Sequence, residues 1–232
     1  MTDFHSHILP QVDDGSESIE ESLMMLEALS TQGVHRVVAT PHFYANDESV
    51  GRFLERRQQA YDLLNNSSSE NPQIILGAEV KFYDGISRLD ELKSLCVQGT
   101  KLLLLEMPFS KWTEYTVREL IDISSDGRVT VVLAHFDRYL SFQSSEVWYR
   151  LLDSGILMQM NADFINDLFS RRKAISFFKK GTVHFLGSDC HNMNYRAPDI
   201  GKAISILEKK FGNGFKSSFN DYVNEFFEIK IK

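Results

Sequence analysis

Nine side chains able to bind divalent cations through nitrogen or oxygen recur along this chain: His5, His7, Asp14, His42, Glu79, Glu106, His135, Asp189 and His191. Most stand just after a short apolar run, at "DFHSH", "VVATPH", "IILGAE", "LLLLE", "VVLAH" and "HFLGSDCH". Each run reads as a buried strand whose tip carries polar chemistry. His5 and His7 alternate along such a strand, so both rings face one side, about 6.5–7 Å apart along the chain. Asp189 and His191 repeat that geometry near the other end. Taken singly these residues have ordinary readings: Asp13-Asp14-Gly15 is normal turn chemistry, and His42 after Pro41 fits a loop histidine. Glu79 and Glu106 follow runs too apolar for a casual charge, and a cation supplies the compensation a buried carboxylate needs.

The set mixes imidazole and carboxylate with no required thiolate, which suits manganese, iron or zinc better than magnesium. Nine ligands suffice for two or three ions. Ions about 3.5–4 Å apart activate a water and stabilise the attacking and leaving oxygens of a phosphoryl transfer. Asp14, Glu79, Glu106 and Asp189 contribute −4, so three divalent ions leave a site of about +2, matched to a phosphomonoester dianion. Arg138 and Arg196 follow His135 and His191 closely. Each is either a phosphate clamp or a surface salt bridge.

These residues need elements to position them. Strands are expected at 2–6, 34–40, 73–79, 101–107, 129–135, 156–161 and 183–188. Helical patterns lie between most of them, at 18–31, 48–64, 113–124, 143–154, 167–180 and 198–211, with 84–99 part helix. Ser18 and Glu21 fit a capping box, and Gly33 a helix stop. Alternation of strand and helix implies an α/β fold with a parallel sheet. In an open sheet, functional tips gather at one switch point. Here at least six tips carry candidate ligands, so the expectation is a closed, TIM-like barrel with its site at the C-terminal face.

The chain has 232 residues, 43% hydrophobic, and a net charge of −7. That length suits one domain spanning 1–232. The acidity argues against nucleic-acid partners. No apolar run reaches the roughly 20 residues that cross a bilayer, and "MTDFHSHILP" lacks a cleavable signal pattern. Cys96 and Cys190 make no disulfide framework, so a cytoplasmic location is expected. The only low-complexity patch, "NNSSSEN" at 65–71, reads as a surface loop, and the arginines at 52, 56 and 57 as solvated.

The motifs "DFHSHILPQVDDG", "VVATPHF", "LGAEV", "LLLEMPF", "LAHFDRY", "MQMNADF" and "GSDCHN" together resemble the polymerase and histidinol phosphatase (PHP) superfamily. They resemble most closely its bacterial manganese-dependent protein tyrosine phosphatases from capsular and exopolysaccharide clusters. The resemblance implies a distorted (β/α)7 barrel with three metal ions held by the nine residues above. It also implies that Arg138 and Arg196 bind or polarise phosphate; beside it, His42 or a metal-bound water is a candidate to assist the leaving group. The partner it implies is a membrane-associated tyrosine autokinase, dephosphorylated on a tyrosine-rich tail. Relatives often carry His-Pro-Glu-Arg-Tyr where this chain has His135-Phe136-Asp137-Arg138-Tyr139; Arg138 keeps its place. The tail "FNDYVNEFFEIKIK" matches nothing in the family pattern and is a candidate for homo-oligomer contacts.

Three other readings compete. Cys190 and Arg196 satisfy C-x5-R, the spacing of thiol-dependent tyrosine phosphatases. That chemistry needs a phosphate cradle of backbone N–H groups and a low-pKa thiolate, and "CHNMNYR" contains no glycine. A small phosphomonoester such as histidinol phosphate would use the same site. A non-catalytic metal-bound scaffold would keep the ligands without turnover. Phe43, Tyr44, Phe109, Trp112 and Tyr139 follow strand tips and are candidates to wall a slot for a phenyl ring.

Overall fold

In the computed structural model, which describes residues 1–65, 72–125 and 127–228, parallel strands alternate with helices along the chain. The strands are β1 (Thr2–Ser6), β2 (Arg36–Ala39), β3 (His42–Phe43), β4 (Gln73–Leu76), β5 (Glu79–Lys81), β6 (Leu102–Glu106), β7 (Thr130–Leu133), β8 (Leu157–Asn161) and β9 (Phe185–Gly187). The helices are α1 (Ile19–Thr31), α2 (Val50–Asn65), α3 (Leu92–Leu95), α4 (Glu114–Ser125), α5 (Ser145–Asp153), α6 (Ala162–Asn166), α7 (Arg171–Lys179), α8 (Ile200–Phe211) and α9 (Phe215–Glu228). The surface loop expected at 65–71 lies outside the described residues, apart from Asn65, which ends α2.

The expected strand 34–40 is followed after a break by a second short strand, and the expected strand 73–79 is itself interrupted. Pro41 has no N–H to give a neighbour, and it separates β2 from β3. Gly77 separates β4 from β5 and packs so closely that an added Cβ would stand 3.2 Å from Thr40 Cγ2 and Val38 Cγ1. The breaks match: β2 pairs with β4 below them, and β3 with β5 above, His42 opposite Glu79. Two sheets result, in the orders β1-β2-β4 and β3-β5-β6-β7-β8-β9. The ring closes between its first and last strands, where Asp189 N donates to His5 O (2.8 Å) and His7 N to Cys190 O (2.9 Å). The lower edge of β4 is covered by Gln98 N, which donates to Leu76 O (2.7 Å). The result is a distorted parallel barrel of seven chain segments with helices outside.

Local chemistry sets the helices. Ser18 caps α1, its hydroxyl accepting from Glu21 N (3.1 Å). The Glu21 carboxylate reaches back to Glu17 N rather than to the cap itself. Met25, Leu26 and Leu29 form its buried stripe, and Gly33 ends the segment in a left-handed turn (φ 79°). Of the C-terminal tail, a candidate for homo-oligomer contacts, the described residues up to Glu228 pack on the chain's own barrel. Its helix α9 buries Val223, and Phe226 and Phe227 lie edge-on to Phe185 and Phe4, whose rings stack 3.9 Å apart. A four-residue apolar spacing gives α9 one greasy face, and the open lower end of the barrel receives it.

Candidate metal centre

Barrel-facing residues alternate along each strand, and each inward row runs from apolar below to polar at the mouth. Leu102, Leu104 and Glu106 form such a row, as do Leu157, Gln159 and Asn161, and Phe185, Gly187 and Asp189. Where alternation alone would misdirect a side chain, the backbone departs from regularity. The β1–β2 pairing slips between Asp3 and Ser6, a bulge that turns His5 and His7 to the mouth while Phe4 stays below. His135 (φ 29°) and Asp189 (φ 54°) take left-handed conformations. These cost roughly 1–3 kcal/mol each for a residue with a Cβ and persist where neighbours enforce them. Here His135 N donates to Gln159 Oε1 (2.7 Å), and Asp189 N to His5 O (2.8 Å).

All nine candidate ligands converge on the mouth. The Nε2 atoms of His5 and His7 lie 3.1 Å apart and 3.1 and 3.3 Å from Glu79 Oε2. Asp189 Oδ1 lies 3.6 and 3.5 Å from the same nitrogens. His135 Nε2 is 2.8 Å from Glu79 Oε1 and 3.9 Å from Glu106 Oε1. Asp14, the exposed member, sits 3.5 Å from His42 Nε2 and 3.6 Å from His191 Nε2. Three donor sets have atoms within 4.8 Å of one another: His7, Asp14, His42 and His191; His5, His7 and Asp189; and His42, Glu79 and Glu106. Arg138 and Arg196 each place a guanidinium nitrogen 2.6 Å from an oxygen of Asp189.

The donors fit divalent cations on two observations. His42 Nδ1 and His191 Nε2 are buried and lack a hydrogen-bond partner, although both face carboxylates. A cation completes such an orphaned donor. The protonation states of His42, His191 and two carboxylates agree. Burial, with His7 and Arg196 nearby, pushes the His191 imidazole down to about 3, and burial also lowers His42. Burial alone would raise Glu79 and Asp189, but His5 and the neighbouring imidazoles outweigh it and hold both well below the usual carboxylate range. His42 and His191 are thus held neutral and the carboxylates ionised, the forms that ligate. Burial opposes a charge on His5 and His7, but Glu79 and Asp189 raise His5 and Asp13 raises His7 well above the usual range, so a cation binding there displaces their protons.

Several supporting residues were not legible in sequence. Asp13 Oδ2 lies 2.6 Å from His7 Nδ1 and accepts from His42 N (2.8 Å). Lys81 Nζ donates to Glu106 Oε2 (2.8 Å). On β8, whose tip bears no candidate ligand, Gln159 Oε1 faces His5 Nδ1 (3.1 Å), and Gln159 Nε2 donates to Asn161 Oδ1 (2.9 Å). Asn161 Nδ2 in turn donates to Asp189 Oδ2 (2.8 Å). This amide chain fixes His5 with its Nε2 lone pair toward the mouth. Gln159→Leu is therefore expected to weaken metal binding by about 10–100-fold, read by titration calorimetry with manganese. Unchanged affinity would reject the orienting role.

Asp137, beside Arg138, is buried and accepts from Asn161 N (3.0 Å). Burial pushes its carboxyl up to about 7. A carboxyl raised on folding holds its proton more tightly in the folded state. Its contribution is complete below the unfolded value near 3.8 and is lost as pH climbs to about 7, at most about 4 kcal/mol. Asp137→Asn is expected to flatten that decline when urea unfolding is compared at pH 5 and pH 8. Parallel pH dependence in both proteins would refute it.

Of the aromatic candidates, Phe43, Trp112 and Tyr139 are buried in the core. The Tyr139 hydroxyl receives Met107 N (3.0 Å) and meets His135 Nδ1 (3.2 Å), so it braces a ligand rather than walling a slot. Tyr44 and Phe109 are exposed and lie against His42 and His135. Cys190 is fully buried, and burial lifts its thiol well above the usual range, opposite to what a nucleophile requires.

Residues 1–222 match the family model described as capsular polysaccharide synthesis, CpsB/CapC. The chain belongs to the CpsB/CapC family. It is 31% identical over 230 residues to the tyrosine-protein phosphatase CpsB of Streptococcus pneumoniae, covering 91% of each chain. It is 29% identical over 225 residues to the tyrosine-protein phosphatase YwqE of Bacillus subtilis, covering 92% of this chain and 86% of that one. A crystal structure from work on YwqE and S. pneumoniae CpsB, described as metal-dependent tyrosine phosphatases, superposes with a TM-score of 0.84 at 24% identity, over 100% of this chain and 96% of that one. The CpsB/CapC barrel is thus the fold that carries the centre.

Proposed function

We propose that this protein is a metal-dependent protein-tyrosine phosphatase, acting in the cytoplasm on the tyrosine-rich tail of a bacterial tyrosine autokinase and so tuning capsule or exopolysaccharide production. The observation that carries this is the convergence of nine nitrogen and oxygen donors and two guanidinium groups at one barrel mouth, in a family whose similar members are named tyrosine-protein phosphatases. Among the described residues, no helix is long and apolar enough to cross a membrane.

In this reading His5, His7, Asp14, His42, Glu79, Glu106, His135, Asp189 and His191 would hold two to three divalent ions, manganese by preference, with iron or zinc compatible with the same donors. Such ions supply an activated water and offset charge on the phosphoryl oxygens. The remaining work falls to the chain. Arg138 and Arg196, both half-buried at the mouth, grip the phosphoryl oxygens and take up charge as it develops. Tyr44 and Phe109 border the phenyl ring. The departing phenol, with an ordinary pKa of about 10, needs less help from a proton donor than an alcohol does. His42, half-buried and stacked against Tyr44, is our candidate to assist.

The test is manganese-supported hydrolysis of a phosphotyrosine peptide against its phosphoserine counterpart, before and after exhaustive chelation. Tyrosine preference that disappears with the metal supports the assignment. Activity surviving chelation overturns it. Metal-dependent turnover without aryl preference moves the function to a small phosphomonoester such as histidinol phosphate.

A further inference from the structure

Leu168 and Phe169 stand side by side in solvent, 75% and 96% exposed. The turn that displays them is firmly built. Asp167 Oδ2 accepts from Phe169 N (3.0 Å) and Ser170 N (2.8 Å), and Arg171 donates to Ile165 O (3.0 Å) and Asn166 O (2.8 Å). A rigid, exposed apolar pair forgoes little entropy when covered, the property of an interface anchor. The pair belongs to the barrel mouth. It follows α6, a helix roughly 7.5 Å long that starts directly from Asn161, and Asn166 Nδ2 donates to Asp199 Oδ2 (2.6 Å) on the segment leading from Arg196 into α8.

Beyond the pair, a groove of about 430 Å³ runs between α7 and the end of α8. Its lining includes Leu168, Arg172, Ile175, Lys179 and Lys210 and contains no acidic residue. Arg172, Lys179 and Lys210 make no ion pair among the described residues. In a chain of net charge −7, this is a local, un-neutralised positive strip with an apolar end.

We propose that the Leu168–Phe169 pair and the α7–α8 groove form a docking site for an acidic segment of the protein substrate, flanking the phosphotyrosine and carrying an apolar residue to cover Phe169. This rests on the phosphatase reading above. Charge complementarity selects an acidic chain, and the concave groove suits a polypeptide better than a flat lipid surface. Docking away from the reacting phosphate changes selection among substrates and leaves the chemistry itself unaltered.

The test uses two synthetic phosphotyrosine peptides, one flanked by aspartate, glutamate and leucine and one by glycine and serine, with p-nitrophenyl phosphate as the small substrate. Wild-type protein should favour the acidic peptide by about tenfold in KM. Phe169→Ser, and separately Arg172→Glu with Lys179→Glu, should erase that preference and leave p-nitrophenyl phosphate kinetics unchanged. A preference retained in both variants overturns the proposal. So does Phe169-dependent sedimentation with phosphatidylglycerol vesicles when the peptide preference is unaffected, which would make the strip a membrane contact. Binding of the unphosphorylated acidic peptide, followed by fluorescence anisotropy, tests the groove without turnover. Docking that persists where no aryl phosphate is hydrolysed would sink the phosphatase reading alone.

Discussion

Glu79→Gln is expected to lower kcat/KM for p-nitrophenyl phosphate by on the order of 10³ and to reduce the bound metal per chain. Glu79 is the hub of the mouth, within 3.3 Å of nitrogens on His5, His7, His42 and His135. Glutamine keeps the volume but removes the charge, and it replaces one acceptor oxygen with an NH2 group that donates and neither ligates nor accepts. Water could not stand in for this carboxylate without moving the four histidines around it. Losing several kcal/mol of charge stabilisation corresponds to a loss of that order in rate. Glu106→Gln is the informative comparison, because one Glu106 oxygen is already engaged by Lys81 at 2.8 Å; it should lose less metal. Elemental analysis alongside steady-state kinetics checks both. A Glu79→Gln protein with full metal content and activity would remove Glu79 from the centre.

The barrel was legible because its chemistry is written at strand ends. A parallel strand buried on both faces reads as an unbroken apolar run, and Glu79, Glu106, His135 and Asp189 each end one. What stayed hidden depends on contacts between distant segments. Nothing in "MQMNADF" says that Gln159 meets a histidine 154 positions away. The paired breaks at Pro41 and Gly77 look like ordinary punctuation until the neighbouring strand is known to break beside them. Arg57, expected in solvent, donates to Gly77 O (2.6 Å) and so steadies the break itself. The aromatic slot failed in part for a similar reason. A residue after a strand tip can turn up to the mouth, as Phe109 does, or down into the core, as Phe43 and Trp112 do, and composition does not distinguish the two. The tail carried an apolar stripe without showing which surface would receive it.

Arg138→Ala and Arg196→Ala are each expected to lower kcat by about 10²–10³ with metal content unchanged. Both guanidinium groups approach Asp189 at 2.6 Å, one on each oxygen. That geometry has two explanations with different consequences. If the arginines serve only to hold Asp189, removing either releases a candidate ligand, and metal content falls in step with activity. If they serve the phosphoryl group, Asp189 keeps its hydrogen bond from Asn161 Nδ2 (2.8 Å) and the centre stays loaded. Exposure favours the second. The arginine side chains are 35% and 38% exposed, whereas the Asp189 side chain is 3% exposed, so the cations reach from the mouth toward an incoming anion while the carboxylate stays fixed. Lysine at either position preserves charge without the planar fork that grips two oxygens at once. Arg196→Lys should therefore recover only part of the rate, and competitive inhibition by inorganic phosphate should weaken in every variant. Full recovery by lysine would show that charge alone matters, and unaltered phosphate inhibition would place both arginines outside the phosphate site.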